Sequence, residues 1–343
     1  MNLRPFRHLV SILGLLAATL SSGPTAAAPT RISIAAVGDV CPFLEQGNLV
    51  EKNVKNVLGA GAGWIAGADI AFANLEAPII KQGMKAVRIK KLPILVGRLS
   101  LPNSLARAGF DVVSLANNHT YDFGAEGVAI TLDAVKKSKL AYTGLGFSRK
   151  AAHKPVIIER KGIKVAFIAA TDRVNQPQPK KPRKAWTAWL HIRRLERQVR
   201  RLRKKAHVVV VSLHWGISYN PDPIEKQKKI AQRLAAAGAD WIIGGHPHVL
   251  QPVVFASRAR RTVIAYSMGN FLFGKQEGAR GQTWVLRVDF ELKEGAKRAT
   301  PVAVEHLPLV VNEERLLRKP WTDELKKVYR ALEKRSPALG WKR

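Results

Sequence analysis

The sequence predicts an α/β fold in which mixed β-sheets are flanked by helices. Three observations carry this. Short apolar runs alternate with segments of helical periodicity, two late runs are joined by a polar turn, and polar residues collect just after the apolar runs. Residues 31–37 read as the opening strand, 69–73 as the second and 111–115 as the third. A short helix is expected over 101–108, and an amphipathic helix over 124–139 places Val128, Leu132 and Val135 on one face. Further strands are expected at 156–158, 163–169, 207–213, 241–243 and 262–266, with a helix over 224–237. Residues 283–290 and 302–309 flank the polar turn 293–297 as an antiparallel pair. The first strand runs on into Pro42 with no Gly-rich phosphate loop, so a mixed sheet or two packed sheets fits better than a plain dinucleotide fold.

The ends of the chain read differently. Arg4, Arg7 and His8 precede an apolar run over 9–20 and an alanine-rich exit at 26–28, the pattern of a secretory signal peptide. The run of 12 residues is short of the roughly 20 needed to span a bilayer. The expected organisation is a signal peptide over 1–28, one large domain over 29–310 and a helical tail over 311–343, with a helix at 322–334. The expected location is secreted or periplasmic. Cys41 is the only cysteine, which excludes a disulfide framework and leaves stability to packing and metal.

Lys and Arg number 57 against 25 Asp and Glu, a formal net charge of +32. Such a balance attracts polyanions and anionic surfaces without choosing among them, and export argues against nucleic acid. The charge is densest over 180–205, where 12 basic residues accompany the single acid Glu196. From Trp189 onward Ile192, Leu195, Val199 and Leu202 recur at helical spacing with arginines between them. This segment is either a solvated outer helix or a contact for a polyanion or membrane surface. On the second view Arg193, Arg194, Arg200 and Arg201 act together. The proline-bearing stretch 175–183 reads as an exposed loop.

The chemistry lies at the strand ends. Asp39 follows Gly38 after the first strand, as a ligand or a turn cap, and Glu76 follows the second, as a ligand or a helix-capping acid. Asn117, Asn118 and His119 close the third strand, with Tyr121-Asp122-Phe123-Gly124 behind them. Asn118 can offer its carbonyl oxygen to a metal, and His119 either joins the chemistry or makes local hydrogen bonds. His214 ends the strand at 207–213, and His246 and His248 flank Pro247. Alternation would send those two side chains to opposite faces unless the Gly-Gly-His-Pro-His segment turns. Carboxylate, carboxamide and imidazole at one sheet edge suit one or two divalent ions, with manganese, zinc or iron all allowed.

Six ordered blocks, AVGDV at 36–40, ANLEAPI at 73–79, VVSLANNHTYDFGAEG at 112–127, SLHWG at 212–216, GADWIIGGHPHVLQP at 238–252 and YSMGNFLF at 266–273, resemble the capsule-synthesis and poly-γ-glutamate-synthesis protein family. That family is a branch of the calcineurin-like metallophosphatases. The resemblance implies a metallophosphatase-like layered sandwich over roughly residues 31–290. It also implies metal ligation by Asp39, Asn118, His214, His246 and His248, a bridging or near-metal role for Glu76, and charge stabilisation or proton donation by His119. Gln251 and Asn270 correspond to outer supports or substrate contacts, and the YSMGNF segment serves equally as a packed strand with a turn. Two positions depart from the pattern: Cys41 replaces a first-block histidine and Ser218 a glutamate after the HWG triplet. The implied function is a metal-dependent hydrolase or processing factor for an anionic envelope polymer. The alternative is a non-catalytic polyanion-binding module of polymer export, and a membrane surface or the export machinery are further partners it admits.

Overall fold

The computed structural model describes residues 28–42, 56–87, 94–175, 186–256, 261–274, 276–311, 317–318 and 323–340. The expected signal peptide up to residue 27 and the charged stretch 176–185 lie outside the described residues. Among the described residues no helix is long and apolar enough to cross a membrane.

The chain builds one sheet, then a second, and returns to the first. Strands β1 (Thr30–Val40), β2 (Ile70–Leu75), β3 (Val112–Ser114) and β4 (Ala141–Thr143) run parallel to one another. The helices between them are α1 (Ala62–Ala66), α2 (Leu101–Arg107) and α3 (Gly124–Lys137). The short strand β5 (Leu145–Gly146) and helix α4 (Arg149–Ala152) lead into β6 (Val156–Arg160) and β7 (Ile163–Thr171) of the second sheet. A two-residue strand β8 (Trp186–Thr187) pairs with β5. Helix α5 (Ile192–Leu202), strand β9 (Val208–His214), helix α6 (Glu225–Ala237) and strands β10 (Trp241–Gly245), β11 (Val253–Phe255) and β12 (Val263–Ala265) complete that sheet in the order β11-β12-β10-β9-β7-β6. The last strands, β13 (Asn270–Leu272), β14 (Gln282–Leu292), β15 (Thr300–Val311) and β16 (Leu317–Arg318), rejoin the first sheet before helix α7 (Asp323–Lys334). β14 and β15 are the expected antiparallel pair, and both sheets are mixed.

Strand alternation explains the layering. Ile32, Ile34 and Ala36 of β1 face the second sheet, where Phe167, Val210, Trp241 and Ile243 meet them. Ala35 and Val37 face the other way, toward Leu105, Val128, Leu132 and Val135 of α2 and α3. The second sheet repeats the division, with Ala166, Ile168, Val209 and Val211 packing on Leu195, Val199 and Leu202 of α5 and on α6. Being covered on both faces, β9 and β10 are buried throughout, which is why they read as unbroken apolar runs. The Phe72 and Phe167 rings stack across the two sheets with centroids 5.9 Å apart. Tyr329 of α7 reaches this inner core, its hydroxyl within hydrogen-bonding distance of the backbone carbonyls of Thr283 and Leu309 and accepting from the Thr283 N–H, so the tail is packed against β14 and β15.

The basic helix begins later than its periodicity suggests. Trp189 makes a strand-type bridge to Thr171, and α5 starts at Ile192. The apolar seam is Leu195, Val199 and Leu202, as helical spacing requires.

Candidate metal centre

All the predicted ligands sit at the carboxyl ends of strands, and the two sheets bring those ends together. β1 ends at Asp39-Val40, β2 is followed by Glu76 and β3 leads into Asn117-Asn118-His119. From the second sheet, β9 ends on His214 and β10 on Gly245, just before His246. The His246 N–H donates to Asp39 Oδ2 at 3.0 Å, a direct tie between the sheets. Close approach depends on glycine here: a Cβ on Gly245 would lie 2.5 Å from Asp39 Oδ1, and one on Gly38 would lie 2.0 Å from the Gly269 carbonyl oxygen.

His246 and His248 converge because the backbone turns. Both adopt positive φ, 92° and 57°, uncommon for residues with a side chain and characteristic of functional sites. Their ring centroids lie 5.8 Å apart, and His246 lies 4.9 Å from His214.

Two groups of ligand atoms result, Asp39, Glu76 and His214 in one and Glu76, His246 and His248 in the other, each within 4.8 Å of one another. They are positioned to coordinate a divalent metal ion. Glu76 belongs to both groups. It is fully buried and neither of its oxygens accepts a hydrogen bond. Its Oε1 stands 3.3 Å from His214 Nε2, 3.9 Å from His248 Nε2 and 4.0 Å from His119 Nε2. A buried carboxylate without hydrogen bonds is costly unless a cation compensates it, so the donor set fits a metal. His246 Nδ1 and Asn74 Oδ1 are likewise buried without a partner.

Electrostatics point the same way. Burial alone would push Glu76 up, but His248, His214 and His119 hold its carboxyl below the usual range. Burial and then Glu76 raise Asp39. Burial, with His214 beside it, presses His246 down to about 2, leaving a neutral imidazole with a free lone pair. His248 is raised by Glu76 and Asp39 against the opposing effect of burial.

The remaining predicted residues take distinct places. Asn118 Oδ1 lies 2.7 Å from His214 Nε2, and its amide donates to Asn175 Oδ1 at 3.0 Å. His119 is in neither ligand group; its Nδ1 is 2.6 Å from Asp122 Oδ2, which leaves Nε2 facing Glu76. Asn270 Oδ1 meets His248 Nδ1 at 2.8 Å and so orients that imidazole. Gln251 departs from its expected role: it is buried among Gln227 and Asn220, bonding Gln227 Nε2 at 3.1 Å and the Asn220 carbonyl at 2.8 Å. Cys41 is fully buried, belongs to neither group and packs in the core beneath the first sheet. Ser218 is exposed, with Oγ 3.4 Å from His246 Nε2.

Sequence reasoning missed three contributors. Asn74 Nδ2 donates to Asp39 Oδ1 at 2.7 Å and lies 3.2 Å from His214 Nδ1. Its place in the Asn-Leu-Glu triplet after β2 was the available signal. Asp122 stands three residues after His119, a spacing that one loop turn closes. Asn175 carried no signal, because it falls in a stretch that reads only as a polar loop.

The comparisons with known proteins agree with this geometry. The chain is 31% identical to the PGA biosynthesis protein CapA of Bacillus subtilis over 76% of its length and 68% of the relative's. It is 29% identical to the capsule biosynthesis protein CapA of Bacillus anthracis over 95% and 80%. Among solved structures, a 5'-nucleotidase precursor from Thermus thermophilus superposes with a TM-score of 0.52 at 16% identity, covering 89% of this chain and 59% of that one. At that identity the likeness is one of fold, a layered arrangement of mixed sheets and helices. The family model for the bacterial capsule synthesis protein PGA_cap matches residues 33–275, and the chain belongs to that family.

Proposed function

We propose that this protein is an exported metal-dependent hydrolase or polymer-processing factor that acts on an anionic capsule-type polymer. The observation that carries the reading is Glu76, a buried carboxylate with two unpartnered oxygens set among three histidines and Asp39. Asp39, Glu76, His214, His246 and His248 hold the metal, with Asn118 beside His214. When bound, such an ion polarises a phosphoryl or carbonyl oxygen and lowers the pKa of water.

The chain's own groups do the rest. Asp122 fixes His119 with its proton on Nδ1, so a protonated His119 presents Nε2–H to the site. There it supports developing negative charge or gives its proton to the departing oxygen or nitrogen. Asn270 and Asn74 hold His248, His214 and Asp39 in orientation. The substrates of this chemistry are a phosphoester, or a γ-amide or ester within an acidic polymer.

A specific observation favours a second reading, a polyanion-binding accessory without turnover. Ser218 supplies only a hydroxyl near His246, where the family pattern has a carboxylate, and Cys41 is buried out of reach of both ligand groups. One experiment separates the two. Purified protein is metal-analysed, then assayed with manganese, zinc or iron on aryl phosphodiesters and on poly-γ-glutamate, in parallel with polymer binding. Metal-dependent cleavage that His214→Ala abolishes supports the hydrolase; binding without cleavage across the panel supports the accessory.

A further inference from the structure

We propose that two connected clefts between α4 and α5 form a track that binds a linear, carboxylate-bearing polymer and leads it to the metal centre. The inference deepens the functional reading above and rests on it only for the identity of the polymer.

The first cleft has a volume of about 990 Å³ and is lined by Arg149, Lys150, Lys154, Arg194, Arg197 and Arg201. No acidic residue lines it, and none of these six cations forms an ion pair with a described residue. Uncompensated charge of one sign in a concave surface focuses the field and attracts the opposite sign. Helical spacing sorts the α5 arginines. Arg194, Arg197 and Arg201 are three and four residues apart and share the face toward α4. Arg193 and Arg200 instead flank Glu196, whose carboxylate takes two 2.8 Å bonds from Arg233. The structure therefore divides the four arginines expected to act together: Arg194 and Arg201 line the cleft, while Arg193 and Arg200 lie on the face that carries Glu196 and Arg233.

The cleft is built rather than accidental. His153, buried between the two helices, accepts from Arg194 Nη1 at 3.2 Å through its Nε2, and its carbonyl accepts from Gln198 Nε2 at 2.8 Å. A second cleft of about 400 Å³ shares Arg149, His153 and Arg194 with the first. It is walled by Trp186, Trp189 and Val174. The Arg149 guanidinium sits 5.2 Å from the Trp186 ring centroid, and Trp189 is 43% exposed. Val174 precedes Asn175, whose N–H donates to the Asn118 carbonyl at 3.2 Å and whose side-chain nitrogen lies 3.2 Å from His119 Nδ1. Val174 in the wall of the second cleft is thus the chain neighbour of the residue that touches Asn118 and His119.

Two concave clefts in series accept a flexible strand and not a flat lipid surface. Guanidinium and ammonium groups suit carboxylates, and exposed tryptophan faces suit the methylenes between them.

The test measures binding of fluorescent poly-γ-glutamate to the full chain across a salt series. Arg197→Glu with Arg201→Glu, and Arg193→Glu with Arg200→Glu, change net charge equally. The first pair should weaken binding about tenfold or more at low salt and flatten its salt dependence, the second pair by less than about threefold. Circular dichroism checks that both variants fold, and hydrogen exchange on the wild type should show polymer-induced protection of 149–155 and 192–202. Equal losses in the two variants, or no protection there, overturn the track. So does equal affinity for duplex DNA or for phosphatidylglycerol vesicles with the same pattern of losses. His214→Ala should lose metal but keep polymer affinity. Absent turnover with track-dependent binding sinks the hydrolase alone, while metal-dependent turnover without discrimination between the two pairs sinks the track alone.

Discussion

Glu76 and Asp240 are both fully buried carboxylates, and the chain treats them in opposite ways. Asp240 lies at the start of β10 and is saturated. Its Oδ2 accepts from the Val209 N–H at 2.7 Å and from Arg203, and its Oδ1 accepts from Arg298 Nε at 2.7 Å. Glu76 lies just past the end of β2 and accepts nothing. Burying a charge requires compensation. At Asp240 the chain supplies it with guanidinium groups, so the residue is part of the scaffold. At Glu76 it supplies imidazoles in place of guanidinium groups, and the carboxylate is shared by two groups of ligand atoms that can take up a cation. One strand, β10, carries both cases, a neutralised carboxylate at its amino end and the His-Pro-His ligand turn at its carboxyl end.

The contrast can be broken most severely at Asp240. Asp240→Asn should destabilise the metal-free protein by about 3–5 kcal/mol, because two partly buried arginines lose their counter-charge. Glu76→Gln in the same metal-free protein should cost less than Asp240→Asn, since it gives up contacts with His214 and His248 but no guanidinium or backbone hydrogen bond. Urea unfolding midpoints decide, and similar losses at the two sites would erase the distinction.

Metal binding should reverse the ranking. Glu76→Gln should lower metal affinity by more than about 10²-fold, beyond the loss typical of an outer supporting residue, while Asp240→Asn that folds should keep its metal. Elemental analysis after dialysis against graded chelator measures it, and full retention by Glu76→Gln would reject the assignment.

His119 sharpens the boundary between ligand and catalytic group. His119→Ala should retain metal and lose about 10²-fold in turnover on whichever substrate wild type cleaves. Metal loss in that variant would move His119 into the ligand set.

The smallest effect tests a buried group among cations rather than among acids. Burial, with Arg194 and Arg149 beside it, lowers His153 to about 4. The unfolded imidazole titrates near 6.5, so between these values the unfolded state binds more protons and stability rises with pH. The contribution is full above about pH 6.5 and is lost as pH falls toward about 4. His153→Gln should remove about 1–2 kcal/mol of that slope, read from denaturation at stepped pH. An unchanged slope would place His153 in a solvated position.

The residues gathered at the centre were legible because strand ends concentrate them. Each of Asp39, Glu76, His119, His214 and His246 follows an apolar run that could be recognised locally, and a sheet edge collects whatever its strands deliver. Asn175 was not legible, since its bonds to Asn118 and His119 span more than fifty residues and leave no local pattern. Gln251 was misplaced for the converse reason: it sits in a matching block, yet its partners Gln227 and Asn220 come from elsewhere in the chain.

What the sequence by itself determined is the set of elements, their order and the chemical character of the site. Those follow from periodicity and residue type, which are local. Tertiary structure alone decided that Glu76 would stand in both ligand groups, that positive φ would turn His246 and His248 inward, and that Arg194 and Arg201 would part from Arg193 and Arg200. Each depends on which element packs opposite, and packing between distant segments is fixed only when the two sheets close on their shared core.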